Sequence, residues 1–172
     1  MKFEKISKDA QRDALFRLSH FDFNDFQDDD ALAYIEDKLP MPKRGSAFSA
    51  GYDFYLPLSV TLPANGVIVI PTFIKAELDK DKVLKIYPRS SYGIKCGVIM
   101  ANTVGIIDSD YYNNPSNEGH IMIALRNMNN SSVFLPQGDK FAQGIIEKFY
   151  VVDGDEYGKG EARTGGIGST GK

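Results

Sequence analysis

Cysteine is almost missing. Cys96 is the one cysteine among 172 residues, so no intrachain disulfide can form. With His20 and His120 as the two histidines, the usual Cys/His zinc spacings are lacking as well, which excludes a thiol-rich metal centre. Long apolar runs are also missing. No stretch approaches the roughly 20 residues that a membrane helix needs, and no apolar segment follows Met1, Lys2 and Phe3, so no membrane association is expected and cytoplasmic residence is the default. Charge of one sign is scarce too: 20 Lys and Arg stand against 23 Asp and Glu, a net charge of −3. No long cationic stripe is visible, so no nucleic-acid partner is expected and a phosphate ligand must be held locally.

The length suits one ordinary domain with a substantial core, and 42% hydrophobic with 25% charged residues is a globular composition. The charge is unevenly spread: residues 1–40 hold six bases against ten acids, a net of −4 that leaves +1 for residues 41–172. In residues 7–19, Ser7 is a candidate N-cap and Ala10, Ala14, Leu15 and Leu18 share one helical face. A second helix is expected over 28–38, where Asp28, Asp29 and Asp30 suit the positive end of the helix dipole. Pro40 and Pro42 close this acidic helical extension, residues 1–40.

Short β-type runs follow: 60–62, 67–70, 83–87, 120–125, 132–135 and 145–152. Turn formers such as Pro63-Ala64-Asn65-Gly66 and Pro136-Gln137-Gly138-Asp139 separate them. Such spacing predicts a sandwich or barrel for residues 41–157. Residues 158–172 are rich in glycine and nearly free of apolar side chains, so they form an arm that needs a ligand to order it.

Five segments carry the chemistry: Ala50-Gly51-Tyr52-Asp53, Pro88-Arg89-Ser90-Ser91, Gly105-Ile106-Ile107-Asp108-Ser109-Asp110-Tyr111, Gly138-Asp139-Lys140-Phe141-Ala142-Gln143, and Arg163-Thr164-Gly165-Gly166-Ile167-Gly168-Ser169-Thr170-Gly171. In the third, strand alternation places Asp108 and Asp110 on one face. Arg89 can fork two phosphate oxygens. Asn102 offers both a donor and an acceptor. Each segment alone is a weak signal.

In this order, over residues 46–171, they resemble the five motifs of the trimeric all-β dUTPase family. The resemblance implies a mainly β, jelly-roll or barrel fold and a homotrimer whose active sites are shared between subunits. The implied reaction is hydrolysis of dUTP to dUMP and pyrophosphate, with Mg2+ as cofactor, held mainly by the triphosphate and water and reached at most indirectly through Asp53.

By the same resemblance, Asp108 is the general base that deprotonates the attacking water, a task for which an aspartate is ionised at neutral pH. Ser90 stabilises the α-phosphate, and Gln143 holds the water or an α-phosphate oxygen. Arg89 and Ser91 bind phosphates. Asn102 reads uracil together with the backbone of Gly105, Ile106 and Ile107. The ring of Tyr111 packs under the deoxyribose and leaves no room for a 2′-hydroxyl. Asp53 and Asp110 support the site. The arm, with Arg163, Ile167, Gly168, Ser169 and Thr170, closes over the triphosphate from a neighbouring subunit.

The chain departs from the family in three places. Ile167 stands where an aromatic residue is usual, one residue fewer separates Arg163 from the glycine pair, and the stretch Tyr112–His120 lengthens the turn after Tyr111. That insertion, or residues 1–40, offers a surface for a protein partner. Two alternatives remain open: dCTP deaminase, which shares the fold but needs a catalytic glutamate in a different local sequence, and a non-enzymatic regulator on the same scaffold.

Overall fold

The computed structural model describes residues 1–18, 28–160 and 163–166. Twelve strands run through these residues, in the order β1 (Lys2–Lys5), β2 (Lys43–Arg44), β3 (Tyr52–Tyr55), β4 (Val60–Leu62), β5 (Val67–Pro71), β6 (Ile74–Glu77), β7 (Lys82–Pro88), β8 (Val98–Met100), β9 (Gly105–Asp108), β10 (Met122–Asn127), β11 (Val133–Leu135) and β12 (Lys140–Lys148). Helix α1 (Lys8–Leu18) follows β1. Helix α2 (Asp28–Ala33) runs into a π-helical turn, Tyr34–Lys38. The fold is mainly β, of jelly-roll type, with a short helical N-terminal segment.

The strands form sheets in the orders β2-β3-β12-β7-β9, β5-β10-β8, β1-β6 and β11-β4, and every pairing is antiparallel. Inward side chains of all of them meet in one core: Phe54, Leu84, Ile86 and Phe141 from the largest sheet, Ile70, Ile123, Leu125 and Met100 from the three-stranded one, and Leu62 and Leu135 from the short pair. Burial of this apolar surface is the main force holding the sheets together.

The strands expected at 60–62, 67–70, 83–87 and 132–135 all form. The expected strand at 120–125 begins at Met122 instead, because His120 closes a turn through its N–H to the Asn117 carbonyl (2.9 Å). The strand expected at 145–152 is β12, which starts five residues earlier. A register shift between Lys140 and Ala142 is a β-bulge: it buries the adjacent Phe141 and Ala142 and so hides the alternation that marks a strand.

The N-terminal segment is built into the same core. β1 pairs with β6, and Ile6, Leu15, Ile35 and Leu39 are buried. Ser7 caps α1, its Oγ accepting from the Ala10 N–H at 3.2 Å. The Lys5 ammonium donates to the carbonyls of Ile35 (2.6 Å) and Glu36 (2.7 Å) in the π-helical turn. Ser7 also reaches the insertion, donating through its N–H and Oγ to the Glu118 carboxylate at 3.0 and 2.5 Å.

Candidate active site

One end of the largest sheet gathers two cations, a buried carboxylate and two exposed serines. Asp53 on β3 is fully buried, and its carboxylate takes the Arg89 Nη1 at 2.8 Å and the Lys140 ammonium at 3.1 Å. The Lys140 contact is an ion pair without hydrogen-bond alignment, for Asp53 Oδ2 accepts no hydrogen bond. Asp53 thus fixes the guanidinium at the end of β7, and because its carboxylate is fully buried, removing either cation would leave that charge less compensated.

Beyond Arg89 the chain enters a π-helical turn, Ser91–Lys95. The Arg89 carbonyl accepts the N–H groups of Tyr92 (2.9 Å) and Gly93 (3.0 Å). Tyr92 anchors this turn: it is buried, and its hydroxyl donates to Asp139 at 3.2 Å. Burial first, and the Asp139 carboxylate second, push its phenol well above the ordinary tyrosine range. With Tyr92 held inside, Ser90 and Ser91 are left exposed.

Gln143 lies beside this set on β12, opposite both Asp53 and Tyr87. Gly51 leaves room for it, because a Cβ at position 51 would stand 2.5 Å from Gln143 Oε1.

The second set sits at the end of β9. The strand stops at Asp108, and Ser109–Tyr111 form a 3-10 turn, so strand alternation does not relate Asp108 to Asp110 as expected. The tight turn brings the two carboxylates to one side by another route, since a single guanidinium reaches both. Arg163 donates from Nη2 to Asp108 at 2.6 Å and from Nε to Asp110 at 2.9 Å. Its guanidinium carbon also lies 5.8 Å from the centre of the Tyr111 ring, a cation–π distance. Tyr111 is itself buried, and its hydroxyl donates to the His120 carbonyl at 2.8 Å.

Asn102 is exposed in the connection from β8 to β9, its carbonyl accepting the Val104 N–H at 2.7 Å. Next to it, Thr103 has φ 68°, a strained conformation for a β-branched residue and one that clusters at binding sites. Gly105 packs against Ile86, whose Cβ would stand 3.0 Å from a Cβ at position 105. Ile107, half-buried, packs against the core.

The two sets do not meet within one chain. Asp108 is opposite Val83, whereas Gln143 is opposite Tyr87. Four residues of strand and two strand spacings put their backbones roughly 16 Å apart. Ile167, Gly168, Ser169 and Thr170 lie outside the described residues. Three groups escaped sequence reasoning: Lys140, the second cation on Asp53; Gly51, whose missing side chain accommodates Gln143; and Asn117, which donates to the Tyr111 hydroxyl at 2.8 Å. Lys140 lies inside a motif, but a lysine in a turn reads as a solvated charge; Asn117 sat in the insertion with no local signal of its target.

No helix among the described residues is long and apolar enough to cross a membrane. Among the same residues, no three His, Cys, Asp or Glu side chains gather to hold a metal ion directly. Asp53 Oδ2, buried without a hydrogen bond, has capacity to accept from a metal-bound water, and so suits a cation held chiefly by its substrate.

The dUTPase family model matches residues 37–171. The deoxyuridine 5′-triphosphate nucleotidohydrolase of Lactococcus lactis subsp. lactis (strain IL1403) is 44% identical over 133 residues, which cover 77% of this chain and 89% of that protein. The enzyme of the same name from Aeromonas salmonicida (strain A449) is 33% identical over 148 residues, 81% of this chain and 92% of its own. Among solved structures, the dUTPase of Streptococcus mutans aligns with a TM-score of 0.68 and 33% identity, covering 90% of this chain and 100% of that one. The dUTPase from phage phi11 of S. aureus shares the fold at a TM-score of 0.60 and 20% identity, over 73% of this chain and 94% of its own. With most of its length matched by the family model, and with the carboxylate, tyrosine, arginine and glutamine of the motifs in place, this chain belongs to the dUTPase family.

Proposed function

We infer that the chain hydrolyses dUTP to dUMP and pyrophosphate, which keeps uracil out of DNA and supplies dUMP, and that it does so in the cytoplasm. The observation that carries this reading is the carboxylate of Asp108 one tight turn from the ring of Tyr111. A base and a sugar-facing ring at that separation suit a deoxynucleoside whose α-phosphorus is attacked by water. Asp108 takes the proton of the attacking water, and Asp110 supports it. The Tyr111 ring lies under the deoxyribose, while Asn102 and the backbone of Gly105, Ile106 and Ile107 read uracil.

Arg89, held by Asp53, and the hydroxyls of Ser90 and Ser91 bind the phosphates, with Ser90 at the α-phosphate and Gln143 on the water or an α-phosphate oxygen. Mg2+, when bound with the triphosphate, neutralises charge and fixes its conformation. Asp53 is the residue placed to accept from a metal-bound water. Because Arg163 holds Asp108 and Asp110, it must release them before Asp108 can act; the triphosphate competes for the guanidinium and draws the arm, with Ile167, Gly168, Ser169 and Thr170, over the substrate.

The separation of Asp108 from Gln143 within one chain favours a homotrimer in which neighbouring copies complete each site. Val67, Val69 and Ile99 support the same conclusion: they are 54%, 40% and 39% exposed on one face of β5-β10-β8, where Arg126 is opposite both Val67 and Ile99. An apolar patch of this kind is an interface in waiting.

The test is a panel of dUTP, UTP, dTTP and dCTP, with and without Mg2+, on the native chain and Asp108→Asn. Pyrophosphate should appear from dUTP with Mg2+. The variant should lose roughly 100-fold or more of turnover while still binding nucleotide. Ammonia released from dCTP, or a near-native rate from Asp108→Asn, would refute the reading.

A further inference from the structure

We propose that Asn117, in the insertion after Tyr111, is a positioning residue that sets the Tyr111 ring against the sugar and thereby fixes discrimination against the 2′-hydroxyl. This rests on the role given to Tyr111 above. The Tyr111 oxygen has two partners: it donates to the His120 carbonyl at 2.8 Å and accepts from Asn117 Nδ2 at 2.8 Å. Both partners lie in the insertion, so the residues added to the turn are those that hold the far end of the ring.

Asn117 is itself fixed. Its Oδ1 accepts from Asn114 Nδ2 at 2.7 Å and from the Gly119 N–H at 3.1 Å, which orients the amide with its donor toward the phenol. Asn114, buried, also donates to the Tyr111 carbonyl at 2.9 Å. Gly119, at φ 81°, lies so close that a Cβ there would stand 2.6 Å from that same carbonyl. The loop thus closes on both ends of Tyr111, and a plain connecting turn requires none of these amides.

The arm closes on the same pair. A Cβ at Gly166 would stand 3.1 Å from the Tyr111 hydroxyl and 3.4 Å from Asn117 Nδ2. Shape exclusion of one hydroxyl demands a wall that does not yield, and two hydrogen bonds on the phenol supply that stiffness.

The experiment compares kcat/KM for dUTP and UTP in the full-length enzyme. Asn117→Ala should lower the dUTP/UTP preference about tenfold, the worth of one typical hydrogen bond, by raising relative UTP turnover. Tyr111→Phe, which keeps the ring and deletes the shared oxygen, should do the same, and the double variant should lose no more than either single one. An unchanged preference in folded Asn117→Ala overturns the proposal; if that variant does not fold, an unchanged preference in Tyr111→Phe does so. Tyr111→Ala separates the two levels. Should it lose the preference while Asn117→Ala and Tyr111→Phe keep it, only the role of Asn117 fails. Should it too keep the preference, the sugar-facing role of Tyr111 fails.

Discussion

Gly51 and Gln143 illustrate how little space separates a working side chain from a displaced one. A Cβ at position 51 meets the far end of Gln143, at 2.5 Å from Oε1 and 3.3 Å from Cδ, and a flexible amide can swing away at small cost. Gly51→Ala should therefore leave the melting temperature within a few degrees of native and reduce turnover at least tenfold; steady-state rates beside a thermal melt check both. His120 has the opposite character, a structural residue with a pH signature. It is buried, its Nε2 accepts the Phe73 N–H at 2.9 Å, and desolvation lowers its pKa from 6.5 to about 4. Between those values the unfolded chain binds the extra proton, so stability present above about pH 6.5 falls as pH drops towards 4, by on the order of 3 kcal/mol. Urea midpoints measured from pH 4 to 7 should show this slope, and His120→Gln, which keeps an acceptor, should flatten it.

At the scale of elements, β12 and the arm do most to arrange the site. The bulge in β12 buries Phe141, whose carbonyl accepts the Arg89 N–H at 3.1 Å, and shifts the phase so that Gln143 stands beside Arg89 rather than in the core. The arm is held where it is described mainly through Arg163. Truncation before Arg163 should leave the proposed trimer intact on size-exclusion chromatography and abolish most turnover; a product that dissociates where the native chain does not would assign the arm to assembly instead. Elements with a clean local pattern, such as β4, β5 and β7, were readable from periodicity. Strand β12 was misplaced because a bulge breaks period two, and β1 went unread because its pairing with β6 joins residues some seventy positions apart.

At the scale of the whole molecule, Asp108 is opposite Val83 and Gln143 opposite Tyr87, and the proposed function has neighbouring copies bring the two into one site. Asp108→Asn and Gln143→Ala chains, inactive apart, should regain about a quarter of native activity when refolded together in equal amounts, since a shared site then receives one intact copy of each residue at that frequency. Absence of recovery would place each site within a single chain.

Residue order alone was enough to reveal the family, because the five motifs are short runs whose chemistry survives without knowledge of the fold, and it was enough for most of the β character, because alternation is local. It could not relate Asp108 to Arg163, Asp53 to Lys140, or Asn117 to Tyr111. The first two of those contacts span 55 and 87 positions, and even the last, six positions long, depends on a loop returning to its own start through Asn114 and Gly119. Hydrogen bonds and ion pairs of that kind exist only once burial has packed the sheets, and so the tertiary structure alone decided them.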